Sequence, residues 1–102
     1  MIYLKKHTTE SGFIIAMCDS DLIDRVLRDG TVEINIKDYS SFYKGELMSA
    51  GEARGHLDPK NVCSANIIGK ESVDIAIGSS IIDKGSVKKA EKVPYAQAFR
   101  VK

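Results

Sequence analysis

Phe13–Cys18 is a run of six consecutive apolar residues, bounded by Gly12 on one side and Asp19 on the other. It is apolar at every position rather than at every second one, so both faces of an extended segment need cover, as in a central strand. Six residues fall far short of the roughly 20 that span a bilayer. Upstream, Ile2–His7 alternates, with Ile2 and Leu4 on one face and Tyr3, Lys5 and His7 on the other. Thr8-Thr9-Glu10-Ser11-Gly12 is a polar turn between the two, and together they predict a β-hairpin.

Beyond the hairpin, Asp19 or Ser20 is in position to cap a helix with Leu22, Ile23, Val26 and Leu27 as its apolar stripe. Asp24 and Arg28 would pair at i,i+4, and Gly30 would stop it. Thr31–Lys37 then alternates, placing Val32, Ile34 and Ile36 inward and Glu33 and Asn35 outward. Asp38–Gly51 has no steady period. Asp58-Pro59 reads as an N-cap with proline at N1, opening a short helix through Ile67 or Ile68. Gly69 interrupts it, and Lys70–Ser80 carries a second helical stripe of Val73, Ile75, Ala76 and Ile77. Lys84-Gly85 is a turn and Ser86–Lys89 a short strand. Pro94 precedes a last strand, Tyr95–Val101, with Tyr95, Gln97, Phe99 and Val101 on one face. The expectation is a single α+β domain over residues 1–102: hairpin, helix, strand, two short helices and C-terminal strands.

Composition sets the function classes aside more than it selects one. The 102 residues hold 43% hydrophobic and 28% charged side chains, enough apolar material for one core. The opening Met1–Lys6 places its charges after a short apolar stretch, unlike a secretory signal, so a cytoplasmic location without membrane association is expected. Charge is split along the chain. Residues 84–102 carry Lys84, Lys88, Lys89, Lys92, Arg100 and Lys102 against Glu91, a net of +5, and the remainder nets −4. Such an end either guards a sheet edge with solvated lysines or contacts a polyanion. Cys18 and Cys63 have no partner at metal-ligand spacing and read as free buried thiols, so no metal site is expected.

Nucleotide-cofactor motifs fail on their mechanics. Gly69-Lys70-Glu71-Ser72 places Glu71 where a phosphate loop needs Ser or Thr directly after Lys, and Ser64 holds the position of its first glycine. No GxGxxG occurs. His56 lies seven residues before Cys63, about 10 Å along a continuous helix and too far to act as its base. No cofactor is implied.

Three segments have residue types that packing alone does not demand. They are Ser41-Phe42-Tyr43-Lys44-Gly45-Glu46, Ala65-Asn66-Ile67-Ile68-Gly69 and Val93-Pro94-Tyr95-Ala96-Gln97. The plain reading makes Phe42 and Tyr43 plugs beneath a loop, with Asn66 and Gln97 satisfying loop backbone. The functional reading joins Phe42, Tyr43, Lys44, Glu46, Asn66, Pro94, Tyr95 and Gln97 with Lys88 and Lys89 as a binding surface. Aromatic faces would stack bases, lysines would meet phosphates and amides would read base edges. An alternative gathers Tyr43, Glu46, Asn66 and Gln97 in a pocket for a small ligand or substrate, with Glu46 as general base and Tyr43 as proton donor.

These segments, with Tyr3-Leu4-Lys5 and Cys18-Asp19, resemble the archaeal "domain of unknown function 424" proteins over nearly the whole chain. That family's pattern has Phe-Tyr, small residues and Glu, then Ala-Asn before an apolar-Gly pair, then Val-Pro-His-Ala-Gln. This chain departs from it with Lys44 where glycine is common and Tyr95 where histidine is common. A mechanism centred on that histidine is therefore closed to it. The family has no established activity. The resemblance implies a link to translation, with RNA, the ribosome or translation factors as partners, and a role in binding ahead of catalysis.

Overall fold

The computed structural model describes residues 1–99. Its main sheet has six strands in the order β5-β1-β2-β6-β8-β7, where β1 is Ile2–Thr9, β2 Gly12–Asp19, β5 Glu46–Met48, β6 Val62–Ile68, β7 Lys88–Ala90 and β8 Val93–Phe99. The expected hairpin is present: β1 and β2 pair antiparallel from Ile2↔Asp19 to Thr9↔Gly12. β2 lies between β1 and β6, pairing parallel to β6 from Phe13↔Val62 to Cys18↔Ile68, and Ile15 to Cys18 are inaccessible to solvent. Its unbroken apolar run serves two cores.

The first core lies between one face of the sheet and the helices α2 (Ala50–Gly55) and α3 (Lys70–Gly78). Ile2, Leu4, Ile15, Met17, Ala65 and Ile67 of the sheet meet Ala53, Val73 and Ala76 of the helices. The second core is smaller. There Cys18, Ile68 and Ala90 meet Leu27 of a separate two-stranded hairpin and Leu22, Ile23 and Ile36 flanking it.

That hairpin replaces the helix expected after Asp19. Ser20–Leu22 makes only a 3-10 turn, after which β3 (Val26–Asp29) pairs antiparallel with β4 (Val32–Asn35). The stripe of Leu22, Ile23 and Leu27 is buried as expected, but from a turn and a strand. Two features favour the hairpin. Gly30, at φ +60, takes the first place of a two-residue loop, where a type II′ turn wants glycine. The stripe itself is too short to offset helix nucleation alone. Arg28 bridges to its cross-strand partner Glu33 at 3.1 Å in place of the expected Asp24.

The other difference lies at residues 58–68. Asp58 caps as expected, its carboxylate accepting from the Lys60 N–H at 3.0 Å with Pro59 at the first position. The turn stops at Asn61, and the apolar run beyond it is β6, not a helix. A strand buried on both faces and a buried helix segment share one signature over seven residues, and pairing with β2 decides it. The irregular 38–51 stretch resolves into α1 (Ser40–Tyr43), β5 and the start of α2, whose Ser49 and Glu52 form a capping box. The last strand ends at Phe99 among the described residues. Val101, and Arg100 and Lys102 of the basic end, lie outside them.

Helix α3 is capped from a distance. Its N-cap, Gly69, has no side chain to offer, and the Asp19 carboxylate fills the role from the end of β2. It accepts from the Glu71 N–H at 3.1 Å, the Ser72 N–H at 2.9 Å and the Ser72 hydroxyl at 2.8 Å. Gly69 sits at φ +109, and a Cβ there would land on that carboxylate. Replacing Asp19 with Ala leaves buried donors unpaired and is expected to lower stability by about 2–4 kcal/mol. Gly69→Ala is expected to be at least as damaging, because the backbone strain and the clash act together. Urea midpoints of the two variants check both.

Candidate functional site

A cleft of about 670 Å³ opens on the second face of the sheet, beside the β3–β4 hairpin. Its floor is Asn66, Ile67 and Ile68 of β6 and Tyr95, Ala96 and Gln97 of β8, with Lys88 of β7 at one side. One wall is β4, from Val32 to Asn35. The other carries Tyr39, Phe42 and Tyr43 from α1 and the residue before it.

Each element arrives by a definite interaction. α1 is held against β1 by Lys5, whose ammonium donates to the Ser41 carbonyl at 2.7 Å, and by His7, whose Nε2 lies 3.0 Å from the Phe42 carbonyl. The His7 ring also stacks on Phe42, centroids 4.5 Å apart and planes 11° from parallel. Tyr43 meets Phe42 edge-on at 5.2 Å and packs against the second core. The hairpin is tied down by two bonds: Tyr95 donates its hydroxyl to Asp29 at 2.8 Å, and the Arg28 N–H donates to Glu91 at 2.9 Å. Asn66 and Gln97 are cross-strand partners, and the Gln97 amide donates to the Asn66 carbonyl oxygen at 3.0 Å.

Six of the ten residues singled out from sequence therefore meet: Phe42, Tyr43, Asn66, Lys88, Tyr95 and Gln97 line one cleft. Four do not line it. Lys44 is the exposed C-cap of α1, and Glu46 is exposed on the edge strand β5, opposite Leu4. Pro94 and Lys89 pair with each other across β7 and β8, one residue out of phase with Tyr95 and Lys88. A pocket with Glu46 as its base is thus not assembled. The plain reading of the amides also fails, since Asn66 and Gln97 satisfy each other rather than loop backbone. Val32, Ile34, Asn35 and Tyr39 were not anticipated as walls. In the alternation over 31–37 Val32 and Ile34 read as core-facing and Asn35 as outward, and Tyr39 fell in the stretch with no steady period.

The phenols and the buried thiol are held protonated. Burial pushes the Tyr43 hydroxyl up to about 12, with Cys18 beside it adding to the effect. Cys18 is likewise pushed up to about 12 by burial and by the charges of Asp19 and Asp21. Tyr95 is raised by burial, by its bond to Asp29 and by that carboxylate's charge.

The family described as "Protein of unknown function (DUF424)" matches residues 7–101 of this chain. The chain belongs to that family. The DUF424 chain is also similar to an uncharacterised conserved protein from Methanopyrus kandleri, known from a crystal structure. The TM-score is 0.74 at 21% identity, over 96% of this chain and 90% of that one, a likeness of fold. No curated protein matches it. Among the described residues of this DUF424 protein, no helix is long and apolar enough to cross a membrane.

Two measurements check the chemistry. Cys18 is fully buried and Cys63 only partly so, its sulfur 3.6 Å from the Thr9 hydroxyl. A thiol reagent is expected to titrate Cys63 in the native protein and Cys18 only on unfolding. The raised groups are acids kept neutral by folding. The stability they contribute is complete below their unfolded values of 9.0 for Cys18 and 10.0 for Tyr43, and is lost as pH rises toward about 12. The urea midpoint is therefore expected to fall with rising pH above about 9.

Proposed function

We propose that this DUF424 protein is a non-enzymatic binding module whose cleft receives single-stranded RNA, as part of a ribonucleoprotein or translation-linked assembly. One observation carries the reading: aromatic rings, an amide pair and a lysine from four separate chain segments converge on one cleft. Those are the three parts that recognition of unstacked bases uses.

Phe42 supports a stacking role. His7 covers one side of its ring while the ring still lines the cleft, so the aromatic surface is fixed before a ligand arrives. Rings already ordered lose little conformational freedom on binding. The amide pair supports edge recognition. Once Gln97 donates to Asn66, each partner keeps unused capacity: the Asn66 amide can still donate and the Gln97 carbonyl can still accept. Turning both amides over exchanges the roles and keeps one donor and one acceptor.

Charge agrees with a polyanion. Lys88 and Lys89 are exposed on β7, and neither forms an ion pair among the described residues. Glu33 is the acid on the cleft wall, and Arg28 bridges it at 3.1 Å. The reading is tested by titrating the labelled protein with single-stranded RNA at low and high salt. Amide shifts are expected at Tyr43, Asn66, Lys88 and Tyr95, weakening as salt rises. The Lys88→Ala variant is expected to reduce the slope of log K against log salt by about 0.7, one single-strand phosphate contact. An unchanged slope, or no shifts at low salt, would overturn the reading.

A further inference from the structure

A second cleft, of about 350 Å³, adjoins the first. It is lined by Gly85 and Ser86, and it shares Lys88, Tyr95, Ala96 and Gln97 with its larger neighbour. The two compartments therefore have a common wall formed by β7 and β8. Among the described residues, Lys88 is the only cation lining either compartment, and it stands on that wall.

We infer that the two compartments hold two consecutive nucleotides of one strand, with the Lys88 ammonium at the phosphate that joins them. This rests on the proposed RNA reading and deepens it, because it fixes the smallest ligand the site recognises. Three observations carry the assignment. The compartments are unequal in kind. The larger has Phe42 and Tyr43 for stacking and the amide pair for a base edge, while the smaller is bounded by the turn residues Gly85 and Ser86. The larger thus reads one base, and the smaller accepts its neighbour with little selection. Gln97 belongs to both, so the amide pair lies next to the linkage rather than at a far end. Finally, a single cation stands between two compartments whose one acid, Glu33, is bridged by Arg28, which matches a ligand with one negative charge flanked by two neutral planar groups. A protein segment or a free monophosphate supplies no such pattern. A monophosphate has one base and places its charge at an end.

The chelate gain is the measurable consequence. Once one base is seated, the second enters as a tethered group, so affinity rises without any new kind of contact. The experiment titrates the labelled full chain with three probes, AMP, the dinucleotide ApA and a single-stranded oligoadenylate, and repeats the series with Lys88→Ala and Lys88→Arg. ApA is expected to bind about tenfold more tightly than AMP, which is about 1.4 kcal/mol. Its shifts should spread from Asn66 and Tyr95 to Gly85 and Ser86. Lys88→Ala should remove most of that advantage, and Lys88→Arg should restore it. Oligoadenylate binding with ApA no tighter than AMP would overturn the two-compartment assignment and leave the RNA reading standing. An ApA advantage that survives Lys88→Ala would remove Lys88 from the linkage and overturn the assignment as stated. Absence of binding by all three probes at low salt would overturn both. Lys88 is exposed on a three-residue edge strand, so the substitutions leave the two cores untouched.

Discussion

The Asp19 carboxylate is the point on which the architecture turns. It closes the central strand β2 and at the same time supplies the N-terminal cap of α3 through Glu71 and Ser72. A cap normally comes from the residue beside the helix. Here it comes from 50 residues earlier, so forming the helix and forming the β2–β6 pairing are one event. Gly69 completes the joint: it leaves room for the carboxylate, and its N–H donates to the Pro94 carbonyl at 2.8 Å. That bond brings β8 against the end of β6, and from there the pairing runs Ile68↔Tyr95 to Asn66↔Gln97. The amide pair in the cleft floor is thus downstream of a buried cap on the opposite side of the sheet.

The cleft exists because the second face of the sheet is only partly covered. Each strand of the β3–β4 hairpin has four residues, enough to bury Cys18, Ile68 and Ala90 at one end of the sheet. On β6 and β8 the sheet runs on past Asn66 and Gln97 to Ser64 and the exposed Phe99. α1 closes the far side but is held mainly by Lys5 and His7 reaching to its carbonyls, so its rings border the opening. Two short covering elements of limited apolar area leave a gap, and the gap is lined by whatever the strands present there.

Legibility from sequence followed the ambiguity of short apolar patterns. β1 and β2 were readable because alternation and an unbroken apolar run differ, and α3 because it runs nine residues with Val73, Ile75, Ala76 and Ile77 among polar ones. Leu22–Leu27 and Val62–Ile68 were misread as helix because apolar patterns over six or seven residues satisfy either period. Gly30 in one case and the partner strand β2 in the other decided the outcome. The α+β class survived because both errors exchanged one element for another within the same two-faced arrangement. The candidate site was legible to the same depth. Residue types out of keeping with packing marked Phe42, Tyr43, Asn66, Tyr95 and Gln97 before any geometry was known. Adjacent residues in a strand point to opposite faces, so including Pro94 with Tyr95 and Lys89 with Lys88 took in one residue too many each time. Glu46 was lost because the chain leaves α1 for the edge strand two residues earlier.

What lines the cleft also bears on what it does with a ligand. General acid–base work at neutral pH needs a group poised near that pH. The Tyr43 phenol is pushed away from it, up to about 12, and Tyr95 is raised as well by donating to Asp29. Glu33 is engaged by Arg28, and Glu46 sits on another edge. The amide donor, the amide acceptor and the Lys88 ammonium recognise shape, edge and charge without taking a proton. Tyr95 has a structural part as well. The phenol reaches Asp29 and holds the hairpin to β8, so in this chain the position fixes the wall of the cleft. A titrating imidazole there would couple that wall to pH, whereas the phenol keeps it closed across the neutral range.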